Sequence, residues 1–566
     1  MILLTLALVL HLGSPTRLRV TTDLAQYKPG QVVHLLVQCD SIIDGKLSFA
    51  AYRDGEELKD HPATRDWKPN EEPDWTPPKD DGQGYLMAAR VEDANGNLVA
   101  QGSCAIDVSS TWTTYPRYGY LSQFYPELLY KTNAALDNLK DFHLNALQFY
   151  DWQWKHHQPL SSDFVWHDIA NRPTSADTVE SFIALAHQKG MACMAYNLGY
   201  GADDGFEADG VSKSWELFDD ADAKVPYSLP MPQGWATKRL YFFDPGNPGW
   251  RSYLFAHQRE AQAAFHFDGW HMDQVGNPGA KYTASGKAVE LRSTFPALLS
   301  SAKRAVPGAL VFNNVGEYGI GETLSSPTDA MYVEAWEGDG QKTYLDLQRV
   351  VEHSRSTGKA SILAAYMNYD RAKAFDGKQT PGRFNSHGVL LTDAAIMASG
   401  GAHIEIGDSG NLLCSEYFPN RNLEPNADLM DRLRSYYDFS VAYETLLRSP
   451  NVRPVDFLVS LTGVPVSRDG RKGSVWTFAR SAGSQTVVHL INLLNCTSDN
   501  WRDTHATCLA PKVLDHLRLR LPPGPWRQAY TVTPDDGLCI PHPVAIKGNE
   551  VEVPSLTYWT MLVLSR

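Results

Sequence analysis

A chain of 566 residues is too long for one hydrophobic core, so roughly two to four domains are expected. An apolar share of 43% with 34 prolines excludes a disordered or fibrous chain and fits a loop-rich globular enzyme. The formal charge of -14, with no basic run, excludes nucleic acid as a partner, because that binding rests on Lys and Arg neutralising phosphates.

The chain opens on an apolar run, Met1-Ile2-Leu3-Leu4-Thr5-Leu6-Ala7-Leu8-Val9-Leu10, too short to cross a bilayer. It reads as the hydrophobic stretch of a signal peptide over residues 1–15, although no basic residues precede it. The expectation is a protein that is secreted, periplasmic or held at the cell surface. No later stretch is apolar enough to span a membrane, and the protein is read as a monomer.

Residues 16–110 carry an all-β pattern. Alternating segments at 18–23, 32–37, 46–52, 84–91 and 102–108 have the spacing of an immunoglobulin-like sandwich, with 60–81 as a long loop lacking strand signal. From 115 to 450 the period changes. Apolar runs at 119–124, 146–150, 191–196, 269–272, 309–313, 330–333, 361–366 and 403–406 alternate with amphipathic helices at 127–142, 177–188, 250–264, 288–305 and 343–354. Eight such strands imply a parallel sheet buried on both faces and closed as a (β/α)8 TIM barrel. The fifth unit is short of room for a helix, because only 317–328 is free for it. The segment 197–248 lacks periodicity and is read as a wall of the pocket, and 427–447 as a closing helix. Strand patterns return at 475–479, 486–492 and 559–564, so 455–566 is expected to be a second, antiparallel β-sandwich that packs on the barrel. The fold class is therefore multidomain, α/β plus all-β.

Seven cysteines include no C-x-x-C pair, which speaks against a zinc knot. Cys496 and Cys508 flank a polar loop and are either a disulfide in an oxidising compartment or two buried thiols.

In such a barrel the catalytic groups sit on the C-terminal ends of the strands, where all eight converge. Here those ends carry acids, amides and large aromatics: Asp151 and Trp152 after strand two, Tyr196 and Asn197 after strand three, and Trp270, His271, Asp273 and Gln274 on strand four. Strand five ends in Asn313, strand six in Glu334 and Trp336, strand seven in Tyr366 and Asn368, and strand eight in Glu405 and Asp408. Aromatic faces stack on sugar rings while carboxylates and amides bind their hydroxyls, so this ring suits a neutral, hydroxyl-rich ligand.

Cleaving an acetal needs two carboxyl groups, one charged and one holding a proton. Asp273 is assigned as the nucleophile. Glu334, after the apolar run Met331-Tyr332-Val333, is assigned as the general acid, since burial would raise its pKa; Glu337 is the alternative. A rival reading takes Asp268, His271, Asp273, His156, His157 and His403 as metal ligands. It is disfavoured because strand one has no His-x-His pair, so no metal and no cofactor are expected.

The segments Phe267-Asp268-Gly269-Trp270-His271-Met272-Asp273-Gln274-Val275-Gly276 and Tyr332-Val333-Glu334-Ala335-Trp336-Glu337 resemble the nucleophile and acid/base segments of glycoside hydrolase family 66, the dextranases and cycloisomaltooligosaccharide glucanotransferases. Phe149-Tyr150-Asp151-Trp152-Gln153, Ala195-Tyr196-Asn197 and His403-Ile404-Glu405-Ile406-Gly407-Asp408 support the resemblance. It implies a retaining endo-enzyme on dextran or another α-1,6-glucan, with Asp273 forming a covalent glycosyl-enzyme and Glu334 serving as acid and then base. Asp151 matches an acidic position that holds the sugar at the cleavage subsite. His271 departs from the family, where relatives often carry another polar residue. The family's cyclising members insert a carbohydrate-binding module late in the barrel, and the short stretch between Asn368 and Asp393 has no room for one. Hydrolysis is thus expected over cyclisation or transfer, and a non-catalytic glucan-binding protein is the remaining alternative.

Overall fold

The computed structural model describes residues 15–39 and 44–566. The apolar start expected to be a signal peptide lies outside the described residues. No described helix is long and apolar enough to cross a membrane.

A curled, parallel, barrel-like sheet organises the middle of the chain. Its strands are Tyr118–Leu121, Ala146–Phe149, Ala192–Leu198, Gly269–Asp273, Ala309–Asn313, Ala330–Glu334 and Ser361–Ala364, each paired in parallel with the next. The eighth is split. Ala402–His403 pairs with strand seven and Ile406–Gly407 pairs with strand one, so the ladder closes on itself across a two-residue gap. These strands are apolar almost without interruption because both faces are covered, one by helices and one by side chains filling the interior. The inner layer includes Tyr118, Met194, Val311, Tyr332 and Ile362.

The helices fall where the 3.6-residue period placed them: Thr132–Lys140, Ala176–Gln188, Pro248–Phe265, Leu291–Ala305, Tyr344–Ser354 and Ala427–Ala442. Asn247 caps the third through its side chain, with Pro248 at the first helical position, and Thr343 with Asp346 forms a capping box on Tyr344–Ser354. After strand five only the four-residue helix Ile320–Thr323 fits, as the short spacing required.

Ahead of the barrel, a sheet built on Lys46–Arg53, Gln83–Glu92 and Leu98–Val108 faces a smaller one of Arg19–Thr22, Val33–Gln38 and Asp74–Trp75. Their core joins Val33, Leu35, Phe49, Tyr85 and Met87. The stretch 60–81 is not strandless. Arg65–Asp66 and Asp74–Trp75 pair into the two sheets and bury Trp67 and Trp75, an anchoring that two-residue strands cannot announce by alternation. After the barrel, a seven-stranded sheet including Val475–Ala482, Gln485–Asn492 and Trp559–Ser565 faces a four-stranded one including Leu514–Arg520 and Glu550–Leu556.

Both β units are fastened to the barrel. Gly84 touches the closing helix so closely that a Cβ there would sit 1.8 Å from the Val441 carbonyl oxygen. From the other side, residues 496–508 leave the C-terminal sheets and lie across strand ends six and seven: Asn500 Nδ2 donates to Glu337 Oε1 (3.0 Å), Trp501 Nε1 to the Gln341 carbonyl (2.8 Å) and Arg502 Nη2 to the Ala335 carbonyl (2.9 Å). Cys496 and Cys508, at the two ends of this segment, are free thiols.

The junction of the first β unit with the barrel is ionic and buried. Arg117 pairs with Asp107 and, at 3.3 Å, with Glu444, which also meets Arg448 at 3.4 Å; Asp107 and Glu444 are fully buried. Removing one partner strands an uncompensated buried charge. Arg117→Met is therefore expected to lower the unfolding free energy by about 3–5 kcal/mol, measured by denaturant titration; a loss below about 1 kcal/mol would contradict this role of the network.

Candidate active site

At the C-terminal ends of the strands lies a cavity of about 210 Å³ lined by Asp151, Tyr196, His271, Asp273, Glu334 and Tyr366 together with Tyr150, Asn313, Tyr332, Glu416 and Phe418. Asp273 and Glu334 close their strands, because a strand that stops at the barrel rim aims its last inward side chain at the axis.

Asp273 closes strand four. Its Oδ2 accepts from the Tyr196 hydroxyl at 2.7 Å, and its Oδ1 from Asn313 Nδ2 and the Gln274 backbone N–H, both at 2.8 Å. Glu334 closes strand six. Its Oε1 accepts from the Tyr366 hydroxyl at 3.0 Å and its Oε2 from the same Asn313 Nδ2 at 2.9 Å. One amide nitrogen thus holds both carboxyl groups, and the two oxygens it binds lie within about 6 Å of each other, a span that covers the carboxyl separation of double-displacement glycosidases. Burial first, and then the charge of Asp273, push Glu334 up to about 7. Burial also raises Asp273, but its three hydrogen bonds oppose that rise. Below about pH 7 the pair holds one proton, on Glu334, and Asp273 carries the charge.

Asp151 sits in the left-handed region (φ 50°) just past strand two. Burial pushes its carboxyl up to about 8 against the pull of Arg172, whose Nη2 is 3.9 Å away and nearer Asp168 at 2.5 Å. His271 is neutral: burial drives its pKa to about 3, its Nδ1 lies 3.1 Å from the Tyr118 hydroxyl, and its ring stacks on Tyr118 and abuts Tyr332 edge-on. Beside Asp273 an aromatic wall begins at Tyr196. Tyr150 stacks on Tyr196 (4.8 Å between centroids) and on Phe418 (4.5 Å), and the loop after strand three adds Trp235 and Leu240.

Several residues expected in the site are elsewhere, each for a local reason. Trp270 and Asn197 lie one position out of phase with His271 and Tyr196, so strand alternation turns them outward, where Trp270 Nε1 donates to Asn197 Oδ1 at 2.5 Å. The left-handed turn at Asp151 swings Trp152 into the core against Phe265 and Phe267. Gln274 shapes the turn after strand four, accepting from Gly276 N–H at 2.7 Å. Trp336 stands behind Tyr366 rather than in the cavity wall, 5.6 Å from its ring. Asn368 ties strand end seven to the Asp503 carbonyl (2.8 Å) and to Asn385 N–H (2.8 Å). Glu405 joins His403, Asp393 and Tyr437 in a buried cluster on the outer side, and Asp408 pairs with Arg421 and accepts from Ser122 N–H (2.9 Å). Glu337, the alternative acid, is bound to Asn500 and does not line the cavity.

The rival metal set is not assembled. Among the described residues two groups have metal-ligand proximity, His187 with Cys193 and Asp268, and Asp393 with His403 and Glu405; neither contains Asp273 or His271. Asp268 instead accepts from His187 and the Cys193 N–H.

Asn313 and Tyr150 were visible as strand-end residues in the sequence. Glu416, Phe418 and Trp235 were not, because they come from loops whose path no periodicity specifies.

Comparison with known proteins follows the same lines. A cycloisomaltooligosaccharide glucanotransferase of Niallia circulans is 27% identical over 97% of this chain and 72% of its own length. A dextranase of Streptococcus salivarius is 26% identical over 85% of this chain and 67% of its own. The crystal structure of a Paenibacillus sp. cycloisomaltooligosaccharide glucanotransferase complexed with cycloisomaltoheptaose superimposes with a TM-score of 0.88 at 25% identity, covering 97% of this chain and 100% of that one. The model of Glycosyl hydrolase family 66 matches residues 22–563, nearly the whole sequence, and the chain belongs to that family.

Proposed function

We propose that this protein is a retaining endo-glycosidase of α-1,6-linked glucan, a dextranase, with Asp273 as nucleophile and Glu334 as acid/base. The observation that carries the reading is the single Asn313 amide shared by two carboxyl groups in unequal settings. Asp273, charged and held by three donors, attacks the anomeric carbon while Glu334 gives its proton to the departing glycosidic oxygen. The resulting glycosyl-enzyme is released when Glu334, now a base, takes a proton from water. Asp151, protonated near neutral pH, donates to a hydroxyl of the sugar at the cleavage point. The Tyr150, Tyr196 and Phe418 stack offers the sugar an apolar face.

The names of the relatives supply the substrate class: one is a dextranase and another a cycloisomaltooligosaccharide glucanotransferase. Hydrolysis is favoured over cyclisation because the span from Asn368 to Asp393 is filled by the helices Tyr369–Ala374 and Ser386–Ala398 with a two-residue strand between, leaving no inserted module. The same reading gives a (β/α)8 barrel at 115–450, an immunoglobulin-like sandwich at 16–110 and an antiparallel sandwich at 455–566. It also places the enzyme outside the membrane, by way of residues 1–15, where a polymeric glucan can reach it.

Incubation with dextran is expected to release reducing ends, with the α-anomer formed first by NMR; a first-formed β-anomer would replace double displacement by direct water attack, and no cleavage of any α-glucan by folded protein would end the proposal. Asp273→Asn and Glu334→Gln should each lower turnover by about three to five orders of magnitude with the fold retained, and a chelator should leave activity unchanged. The acid also shapes stability. Because the folded state holds the Glu334 proton up to about pH 7 against an ordinary 4.5, it binds that proton more tightly than the unfolded chain does. The contribution of this group is therefore full below pH 4.5 and is lost as pH rises through 7, by up to about 3 kcal/mol. Glu334→Gln should melt above the parent at pH 8 and level with it near pH 4.5; an equal gain at both values would contradict this origin.

A further inference from the structure

Arg502 belongs to the C-terminal β unit yet lies under the ends of strands six and seven, almost wholly buried. Its nearest carboxylate, Glu337 Oε1, is 4.0 Å from Nε, so no close ion pair compensates the charge, and burial lowers its pKa. Isolated buried cations are costly, which makes stability a poor account of this one. What it touches is specific. The guanidinium lies 4.9 Å from the ring centre of Trp336, 5.1 Å from that of Tyr369 and 4.9 Å from that of Trp501. Nη2 donates to the carbonyl of Ala335, the residue after Glu334, and the Arg502 carbonyl accepts from the Asn368 N–H at 2.9 Å. One residue therefore pins the chain just past Glu334 and the chain just past Tyr366. The contact continues inward: Trp336 packs on Tyr366, and the Tyr366 hydroxyl donates to Glu334 Oε1.

We propose that Arg502 is a positioning residue for the acid/base, a guanidinium lent by the C-terminal unit that fixes Trp336 and, through it, the Tyr366 hydroxyl on Glu334. The inference rests on Glu334 being the acid/base. Planarity is what the site uses, since a flat guanidinium lies against three aromatic rings while its edge reaches a carbonyl, and a lysine ammonium does only one of these.

The test compares two substrates of the full-length protein. Dextran needs a proton on its leaving oxygen, whereas α-isomaltosyl fluoride expels fluoride with little help from an acid. Arg502→Met is expected to lower kcat/KM on dextran by about 10- to 100-fold and kcat/KM on the fluoride by less than about threefold; kcat/KM reads only the steps up to the glycosyl-enzyme, where Glu334 acts as acid, so its later work as base does not enter. Arg502→Lys should recover part of the dextran activity, and it decides the matter if the methionine variant fails to fold. A parallel fall on both substrates, or no fall on either, overturns the role. Glu334→Gln is the reference and should show the same split, larger. If it shows none, the acid/base assignment itself falls; if it splits and the Arg502 variants do not, only the positioning role does.

Discussion

Two carboxyl groups held by one amide nitrogen set the terms for the rest of this molecule. Asn313 can keep Asp273 and Glu334 together only if strands four, five and six arrive in register, and they do, because residues 269–272 pair with 309–312 and residues 311–313 with 330–332. A one-residue slip in either ladder would turn an acid or the amide to the opposite face. The proximity is unfavourable in isolation: after burial, the charge of Asp273 is what raises Glu334, and the pairing persists because the surrounding barrel over-determines it.

That over-determination is spread across three units. The barrel interior is packed with tyrosines and β-branched residues that leave strand ends little freedom, and the first β unit is locked on by the buried Asp107, Arg117 and Glu444 group. The neutral His271 fits the same logic. It sits one layer below the acids, stacked on Tyr118 and edge-on to Tyr332, where a charged imidazole would be heavily penalised and a neutral one fills space without disturbing the proton above.

The fold was largely legible in the chain because its signals are local. Eight apolar runs and the helices between them state their own period, and the missing helix after strand five is written in the shortness of 317–328. The two acids were legible for the same reason, each being the last inward residue of its strand. Trp270, Asn197 and Trp152 were misassigned because strand-end position was read without the alternation that decides which face a side chain takes. Glu405 was misassigned because strand eight breaks at Ile404 and Glu405, and the break rotates the carboxyl toward Asp393 and Tyr437. Glu416, Phe418 and Trp235 come from irregular segments, and the partners of the 496–508 segment lie more than a hundred residues away; loop paths and long-range contacts leave no imprint on local periodicity.

The crossing of residues 496–508 over strand ends six and seven bears on inheritance. A module joined to a catalytic unit by a linker alone can be lost, duplicated or exchanged by recombination, but here the hydrogen bonds to Ala335, Gln341 and Glu337 make the C-terminal β unit part of the rim itself. Chimeras cut between the two should give a barrel lacking a piece of its own mouth, so the two regions are bound to evolve as one piece.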